Sequence, residues 1–315
     1  MTFEAPPPCT RPTLYFVGVT TKQSSIMKVF PRWAEILGID ADIRGYDAAP
    51  NSPPEAYRTI VQHLREDPLA MGALVTTHKI NLLLATRDMI DELDPHARTC
   101  GEVSCLSKRD GRLIGHAKDP ITSAASWRAF VPPDHWLGGG EVLCLGAGGS
   151  AVAISVSVPE FERVGDRPNT IHFVNRSAPR LDHLRAVNDT LDTDIVFTYR
   201  VNADPAVNDA IMAGLPPGSM VINATGMGKD SPGSPLTDAG VFPERGLVWE
   251  LNYRGELLFL QQARAQEASR ELTVEDGWIY FLHGWSAVVA EVFDLELTPE
   301  LFAEFDRAAA TLRPS

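Results

Sequence analysis

A chain of 315 residues that is 44% apolar and 22% charged has the length for about two domains and the composition of a globular protein, which excludes a disulfide-stapled miniprotein and a disordered chain. Its 28 Lys and Arg against 41 Asp and Glu leave a formal charge of −13, which argues against a broad nucleic-acid or anionic-membrane surface. Cys9, Cys100, Cys105 and Cys144 show neither the density of a secreted scaffold nor Cys-x-x-Cys spacing, so no metal site and a reduced, cytoplasmic setting are expected. The start, MTFEAPPPCTRP, lacks a basic-then-apolar leader, and no run reaches about eighteen apolar residues, so neither export nor membrane spanning is expected.

In chain order, TLYFVGV (Thr13 to Val19) is a β-rich apolar run followed by Ser24, Ser25 and a stretch that Gly38 can stop, which predicts strand then helix. Pro31 counts against that helix unless it falls in the first turn, because it removes a backbone donor. ADIRGYD, the Pro53–Glu66 stretch, MGALVTT and KINLLLATRDMIDEL repeat the alternation and predict a mostly parallel sheet covered by helices. GEVSCLSKRDGRLIGHAKD reads as two short strands around Arg109-Asp110-Gly111, since Asp-Gly favours a tight hairpin. The turn-rich stretch 130–140 then reads as an interdomain connection. Beyond it come VLCLG, a helix from about Gly149, TIHFVNR, a helix through Leu181, Leu184 and Val187, DIVFTY, a helix near Ala206–Met212, and the strands SMVINAT and LVWEL. After Tyr253 helices are expected at Leu257–Ala268, Trp278–Leu295 and Pro299–Ala310.

The alternation after Val142 is the βαβ grammar of a Rossmann-type sheet. Gly146-Ala147-Gly148-Gly149-Ser150 follows an apolar strand and opens a helix, where a glycine turn brings backbone N–H groups to a pyrophosphate; the same glycines also suit an ordinary strand-to-helix turn. The next strand ends in Asn175-Arg176-Ser177 instead of the acid that binds a ribose 2′-hydroxyl, so Arg176, helped by Ser177 and Arg180, suits a 2′-phosphate and points to NADP. Asn223-Ala224-Thr225-Gly226-Met227-Gly228 ends a later strand and runs either beside the nicotinamide or as a simple exit turn. Met227 there packs on that ring or fills a loop cavity.

The ordered set GVTTKQS, GALVTTHK, GEVSCL with DGRLIGHAKD, CLGAGGSAVAI, NRSAPR, VINATGMG and WELNY resembles the shikimate/quinate dehydrogenase family across almost the whole chain. The resemblance implies an α/β protein of two domains facing each other across a cleft: a substrate and catalytic domain (1–125), a Rossmann-type NADP-binding domain (126–270), and C-terminal helices (271–315) returning to the first. It places the catalytic Lys on Lys79, allowing a one-residue shortening, and its partnering Asp on Asp119. Such a pair orients a substrate hydroxyl and moves its proton while hydride passes to or from the nicotinamide. Burial lowers a lysine's pKa and a neighbouring carboxylate raises it, and the sequence leaves open which wins.

The substrate positions depart from the family pattern. Ser24 keeps the first serine of Ser-x-Ser-Pro, but Ile26 and Met27 hold the next two positions; Thr76 survives from Asn-Val-Thr, but Leu74 replaces the asparagine. Ser104 and Cys105 stand for Asn-Thr, Ala117 and Lys118 precede the retained Asp119, and Trp285 stands where a substrate-binding Gln is expected. Each lost buried contact is worth ~1–3 kcal/mol, so two losses weaken recognition by roughly tens to tens of thousands of fold. Lys22, Lys28 and Lys118 are candidates to replace carboxylate contacts, His78 and His116 to join an acid–base network, and Tyr253 and Trp285 either to line the pocket or to pack in an interface or core. The expectation is an NADP-dependent alcohol dehydrogenase of shikimate/quinate type, of aromatic amino acid biosynthesis, acting as monomer or homodimer on a small cyclic hydroxy acid or alcohol, with no nucleic-acid partner. A dehydrogenase for a less polar ring and a non-catalytic NADP-binding regulator are the alternatives.

Overall fold

The computed structural model describes residues 4–229 and 231–313, so Met1–Phe3 of the leading stretch lie outside the described residues, as do Asp230 and the last two. Two compact units make up the chain: residues up to Asp119 together with Leu282 onward, and Pro120–Phe281. The first runs β1 (Thr13–Gly18), a 3-10 turn (Thr21–Gln23), α1 (Ile26–Leu37), β2 (Asp42–Asp47), α2 (Pro54–Glu66), β3 (Ala70–Val75) and α3 (Lys79–Thr86). It continues through a second 3-10 turn (Arg87–Met89), β4 (Glu92–Leu93), α4 (Pro95–Cys100), β5 (Cys105–Arg109), β6 (Arg112–His116) and the first residue of α5 (Asp119–Phe130).

Its six-stranded sheet has the order β2-β1-β3-β5-β6-β4. β1 pairs in parallel with β2 and β3, and β4 with β6, while β5 is antiparallel to both β3 and β6. The β5–β6 hairpin turns on Asp110 (φ 49°) and Gly111 (φ 75°), both in the left-handed region that this two-residue connection demands. α1 stops where Gly38 (φ 65°) returns its amide to the last turn, and it runs through Pro31 beyond its first turn, forgoing the bond to the Met27 carbonyl. KINLLLATRDMIDEL does not stay helical to its end. Asp91 and β4 bond to the free edge of β6, and Asp94 caps α4 through the Ala97 amide (2.6 Å), so tertiary pairing overrides helical propensity.

The second unit contains β7 (Val142–Leu145), α6 (Gly149–Phe161), β8 (Thr170–Asn175), α7 (Ala178–Asn188), β9 (Val196–Val201), α8 (Pro205–Ala213), β10 (Met220–Asn223) and β11 (Leu247–Glu250). α9 (Leu258–Arg264), α10 (Glu267–Arg270) and β12 (Thr273–Glu275) follow. The single helix expected at Leu257–Ala268 is thus two short ones, and a strand follows that the periodicity missed, because three residues carry no readable alternation. All pairings are parallel, in the order β12-β11-β10-β7-β8-β9, which is the doubly wound dinucleotide order with its switch point between β7 and β10. Leu143, Leu145, Val174, Val221, Val248, Phe242 and Phe259 form one core beneath it.

α11 (Trp278–Val292) and α12 (Pro299–Ala310) end the chain. In the first unit α12 packs on α1: the Trp33 and Phe305 rings stack at 4.5 Å, and Trp33 Nε1 donates to the Phe305 carbonyl (2.9 Å). Among the described residues no helix is long and apolar enough to cross a membrane.

Candidate active site and dinucleotide edge

In the first unit the polar groups gather beyond the carboxyl ends of β1 and β3. The Thr76 amide and hydroxyl both donate to the Val17 carbonyl (3.1 and 3.4 Å), and the Lys79 amide donates to the Thr76 carbonyl (3.3 Å), which seats Lys79 at the first residue of α3. Asp119 opens α5, where a helix N-terminus favours a carboxylate, and Lys79 Nζ donates to Asp119 Oδ2. Both side chains are largely buried, at 15% and 12% exposed, so this ion pair is shielded from the solvent screening that weakens surface pairs. The Ser104 hydroxyl accepts the Lys118 amide (2.9 Å) and the Ser104 carbonyl accepts the Val75 amide (2.9 Å), which ties the approach to Asp119 to the end of β3.

Ser24 is buried on the turn after β1, its amide bonded to the Thr21 carbonyl (3.0 Å). That turn is docked through Thr21, whose amide and hydroxyl both donate to Asp47 Oδ1 (2.8 and 2.6 Å). A Cβ at Gly45 would lie 2.0 Å from the Thr21 hydroxyl, so the close approach requires glycine there. Ile26, Leu74 and Trp285 are all buried; Trp285 stands edge-on to Phe16 at 5.0 Å, and Phe16 pairs with Leu74 across β1 and β3. Apolar side chains therefore occupy the positions where the family pattern expects hydrogen-bonding ones.

Several residues singled out for their charge are already engaged. Lys118 Nζ bonds to Glu291 of α11 (2.6 Å), so it is committed to a carboxylate of the protein. Lys22 and Lys28 are exposed. His78 is buried, with Nδ1 at 3.1 Å from the Tyr57 hydroxyl and Nε2 at 3.0 Å from the Ala48 carbonyl, and burial lowers its pKa. It tethers the loop in its neutral form. His116 faces Ser107 (2.9 Å), Asp94 (3.5 Å) and Glu291 (3.4 Å). Sequence reasoning passed over Glu102, which is completely buried, is acted on by the charges of Lys79 and Asp119, and has no hydrogen-bond partner for either carboxylate oxygen among the described residues.

The second unit offers backbone where the first offers side chains. Gly146 (φ 129°) leaves β7 at the switch point, and a Cβ there would lie 2.5 Å from the Ala224 carbonyl oxygen, so only glycine lets the β7 and β10 exits pass this closely. Ala147 is buried, whereas a Cβ at Gly148 would meet no atom within 4 Å. Gly148 is the N-cap of α6, and with no side chain capping that helix the amides of Gly149 and Ser150 begin it in a cradle suited to a pyrophosphate. At the end of β8, Asn175 Nδ2 reaches the Ser177 carbonyl (3.4 Å), and Ser177 is the N-cap of α7. Arg176 and Arg180 are exposed, and neither forms an ion pair among the described residues.

The loop after β10 is held by three polar residues whose role the sequence did not announce. Glu250 Oε2 accepts Asn223 Nδ2 (2.7 Å), Glu250 Oε1 accepts Asn252 Nδ2 (2.6 Å), and both amides reach the Met227 carbonyl (3.3 and 3.2 Å). Asn223 Oδ1 accepts the Thr225 hydroxyl (2.6 Å), which in turn accepts the Met227 amide (3.1 Å). Burial pushes the Glu250 carboxyl up to about 7, against the pull of those hydrogen bonds. Tyr253 follows, its ring 5.6 Å from Trp278 and 4.6 Å from Phe281 within the same unit.

No family model matches the chain. A shikimate dehydrogenase (NADP(+)) from Streptococcus thermophilus is 30% identical over 194 residues, which span 60% of this chain and 64% of that protein. A shikimate dehydrogenase (NADP(+)) from Rhodopseudomonas palustris is 32% identical over 269 residues, 85% of this chain and 86% of that protein. The chain belongs to the shikimate/quinate dehydrogenase family. Its fold is shared with the Thermus thermophilus shikimate 5-dehydrogenase solved with NADP(H) and shikimate (TM-score 0.70, 20% identity, 95% of this chain and 99% of that one). It is shared equally with a 5-ketofructose reductase of a Gluconobacter strain (TM-score 0.68, 21% identity, 96% of this chain and 100% of that one).

Proposed function

We propose that this member of the family is an NADP-dependent dehydrogenase that interconverts a cyclic secondary alcohol and its ketone, on a ring carrying fewer polar groups than shikimate. The observation that carries the reading is the largely buried Lys79–Asp119 pair, in a chain whose Rossmann-ordered sheet bears an uncapped, glycine-opened helix. A nicotinamide dinucleotide, when bound, accepts or supplies the hydride. In oxidation the neutral Lys79 amine takes the hydroxyl proton while the carbon–hydrogen electron pair leaves as hydride; in reduction the Lys79 ammonium returns that proton to the carbonyl oxygen. Asp119 holds and orients the amine. Ser24 and Thr76 position the ring, and Ile26, Leu74 and Trp285 supply apolar surface. The same substitutions, and the commitment of Lys118 to Glu291, support a less polar substrate. Arg176 and Ser177, with no acid at the end of β8, support NADP over NAD.

The test is a screen of purified protein with cyclic hydroxy acids, their ketones and less polar ring alcohols, with shikimate and quinate as references, followed through NADP reduction or NADPH oxidation. With a substrate in hand, Lys79→Ala should lower turnover by about 10²–10⁴-fold and leave NADP affinity unchanged. Comparable turnover in the folded variant refutes the role given to Lys79. A chain that titrates with NADP yet turns over nothing in the screen is a regulator instead.

A further inference from the structure

Glu102 lies in the short segment that joins α4 to β5, and the two residues after it bond to the main chain at Lys79 and at Lys118, next to the two groups proposed to handle the proton. The amide of Val103 donates to the carbonyl of Lys79 (3.4 Å), and the hydroxyl of Ser104 accepts the amide of Lys118, the residue before Asp119. Between these contacts and the end of α4, the carboxylate is fully buried, and neither oxygen has a hydrogen-bond partner among the described residues. A buried carboxyl without donors is a costly filler, since an apolar side chain would occupy the same space without the desolvation penalty of a charge. The charged groups that act on it are Lys79, from the start of α3, and Asp119, from the start of α5; the buried Cys100 at the end of α4 senses Glu102, Asp119, Asp94 and Lys79 in turn. Burial raises the Glu102 carboxyl from an ordinary 4.5 to about 7, with Lys79 opposing the rise and Asp119 adding to it.

We infer that Glu102 is a positioning residue for the proton step, a third ionisable member of the Lys79–Asp119 centre whose charge state governs how firmly Lys79 keeps its proton. The inference rests on the reading of Lys79 as the proton-transferring group. Coupling of this kind is reciprocal: the ammonium of Lys79 favours an ionised Glu102, and an ionised Glu102 favours the ammonium. Glu102 therefore holds back formation of the neutral amine that alcohol oxidation needs, and it extends to higher pH the ammonium that ketone reduction needs.

The experiment is the pH profile of kcat/KM for alcohol oxidation in the wild-type enzyme and in Glu102→Gln, which keeps the shape of the side chain and removes its charge. The inflection at which activity appears should move to lower pH by about half a unit or more, with NADP affinity unchanged. A folded Glu102→Gln enzyme whose profile is only scaled by a constant factor, or is unchanged, overturns the inference. Should that variant not fold, the wild-type profile at two temperatures decides: a carboxyl inflection that barely moves with temperature beside an ammonium inflection that moves strongly is expected, and a single, temperature-dependent inflection overturns it. Lys79→Ala separates the two levels of argument. Full turnover in that variant removes the Lys79 reading and Glu102 with it, whereas an inactive Lys79→Ala beside an unshifted Glu102→Gln removes Glu102 alone.

Discussion

In the first unit the proposed chemistry rests on side chains: Ser24 and Thr76 stand on turns beyond β1 and β3, and Lys79 and Asp119 open α3 and α5. In the second the proposed cofactor site rests mainly on the main chain: Gly146 and Gly148 lead into α6 at the β7–β10 switch point, and Arg176, Ser177 and the Asn223–Glu250–Asn252 network add side chains. The two kinds of site tolerate change differently. Leu74 still pairs within β3, and Ile26 still packs at the start of α1, so a polar recognition group can become apolar without disturbing a strand or helix. The dinucleotide edge has no such freedom, because a side chain at Gly146 would collide with the main chain of the neighbouring strand exit. A side-chain site can change its ligand while its sheet persists, whereas a main-chain site keeps its signature for as long as the fold keeps its spacing.

Substitutions test that contrast, and Lys79→Ala, acting on turnover alone, carries the largest expected effect. Next comes Gly146→Ala, where backbone strain of ~1–3 kcal/mol and overpacking of ~1–3 kcal/mol against the Ala224 carbonyl should lower stability in urea or thermal unfolding and abolish cofactor binding together. Gly148→Ala is its counterpart. With φ −89° and open space around it, this position should accept a methyl group with unchanged stability, yet lose NADP in a direct titration. If both variants bind NADP normally, the main-chain account of the second unit is wrong.

Arg176→Ala should cost a charge-assisted contact of about 1.5–3 kcal/mol, which is roughly a ten- to hundredfold loss of NADP affinity with NAD affinity unchanged. Equal losses for the two dinucleotides would assign Arg176 to general electrostatics and leave the NADP preference without support. The remaining prediction concerns pH. Both Glu102 and Glu250 titrate near 7 in the folded chain against an ordinary 4.5, so between those values the folded state binds more protons than the unfolded one and each group's contribution to stability falls as pH rises. The stability of Glu102→Gln relative to wild type, read from urea unfolding at pH 5 and pH 8, should therefore shift in favour of the variant at the higher pH. No shift would place the Glu102 titration elsewhere.

Much of this was legible in the residues. Asp110-Gly111 announced its hairpin and Gly38 its helix end, because each demands a backbone region that few residues enter. Gly146 announced the turn from β7 into α6 for the same reason, and the meeting of Lys79 with Asp119 was implied by the order of several motifs, not by any property of a single lysine or aspartate. The splitting of KINLLLATRDMIDEL was not legible, since the edge of β6 that captures β4 comes from some twenty residues further along. Nor was the occupation of Lys118, whose partner Glu291 lies 173 residues away.

The strand and helix alternation of both units, the glycine-opened helix and the motif order that marks the family are written in the residues, because they follow from local backbone preferences and side-chain periodicity. Tertiary packing then sets which ionisable groups are paired, which are committed to the protein itself and which, like Glu102, are buried with no hydrogen-bond partner among the described residues. Burial and pairing depend on contacts between segments far apart in the chain, and the protonation of a carboxyl or an amine is set by that environment.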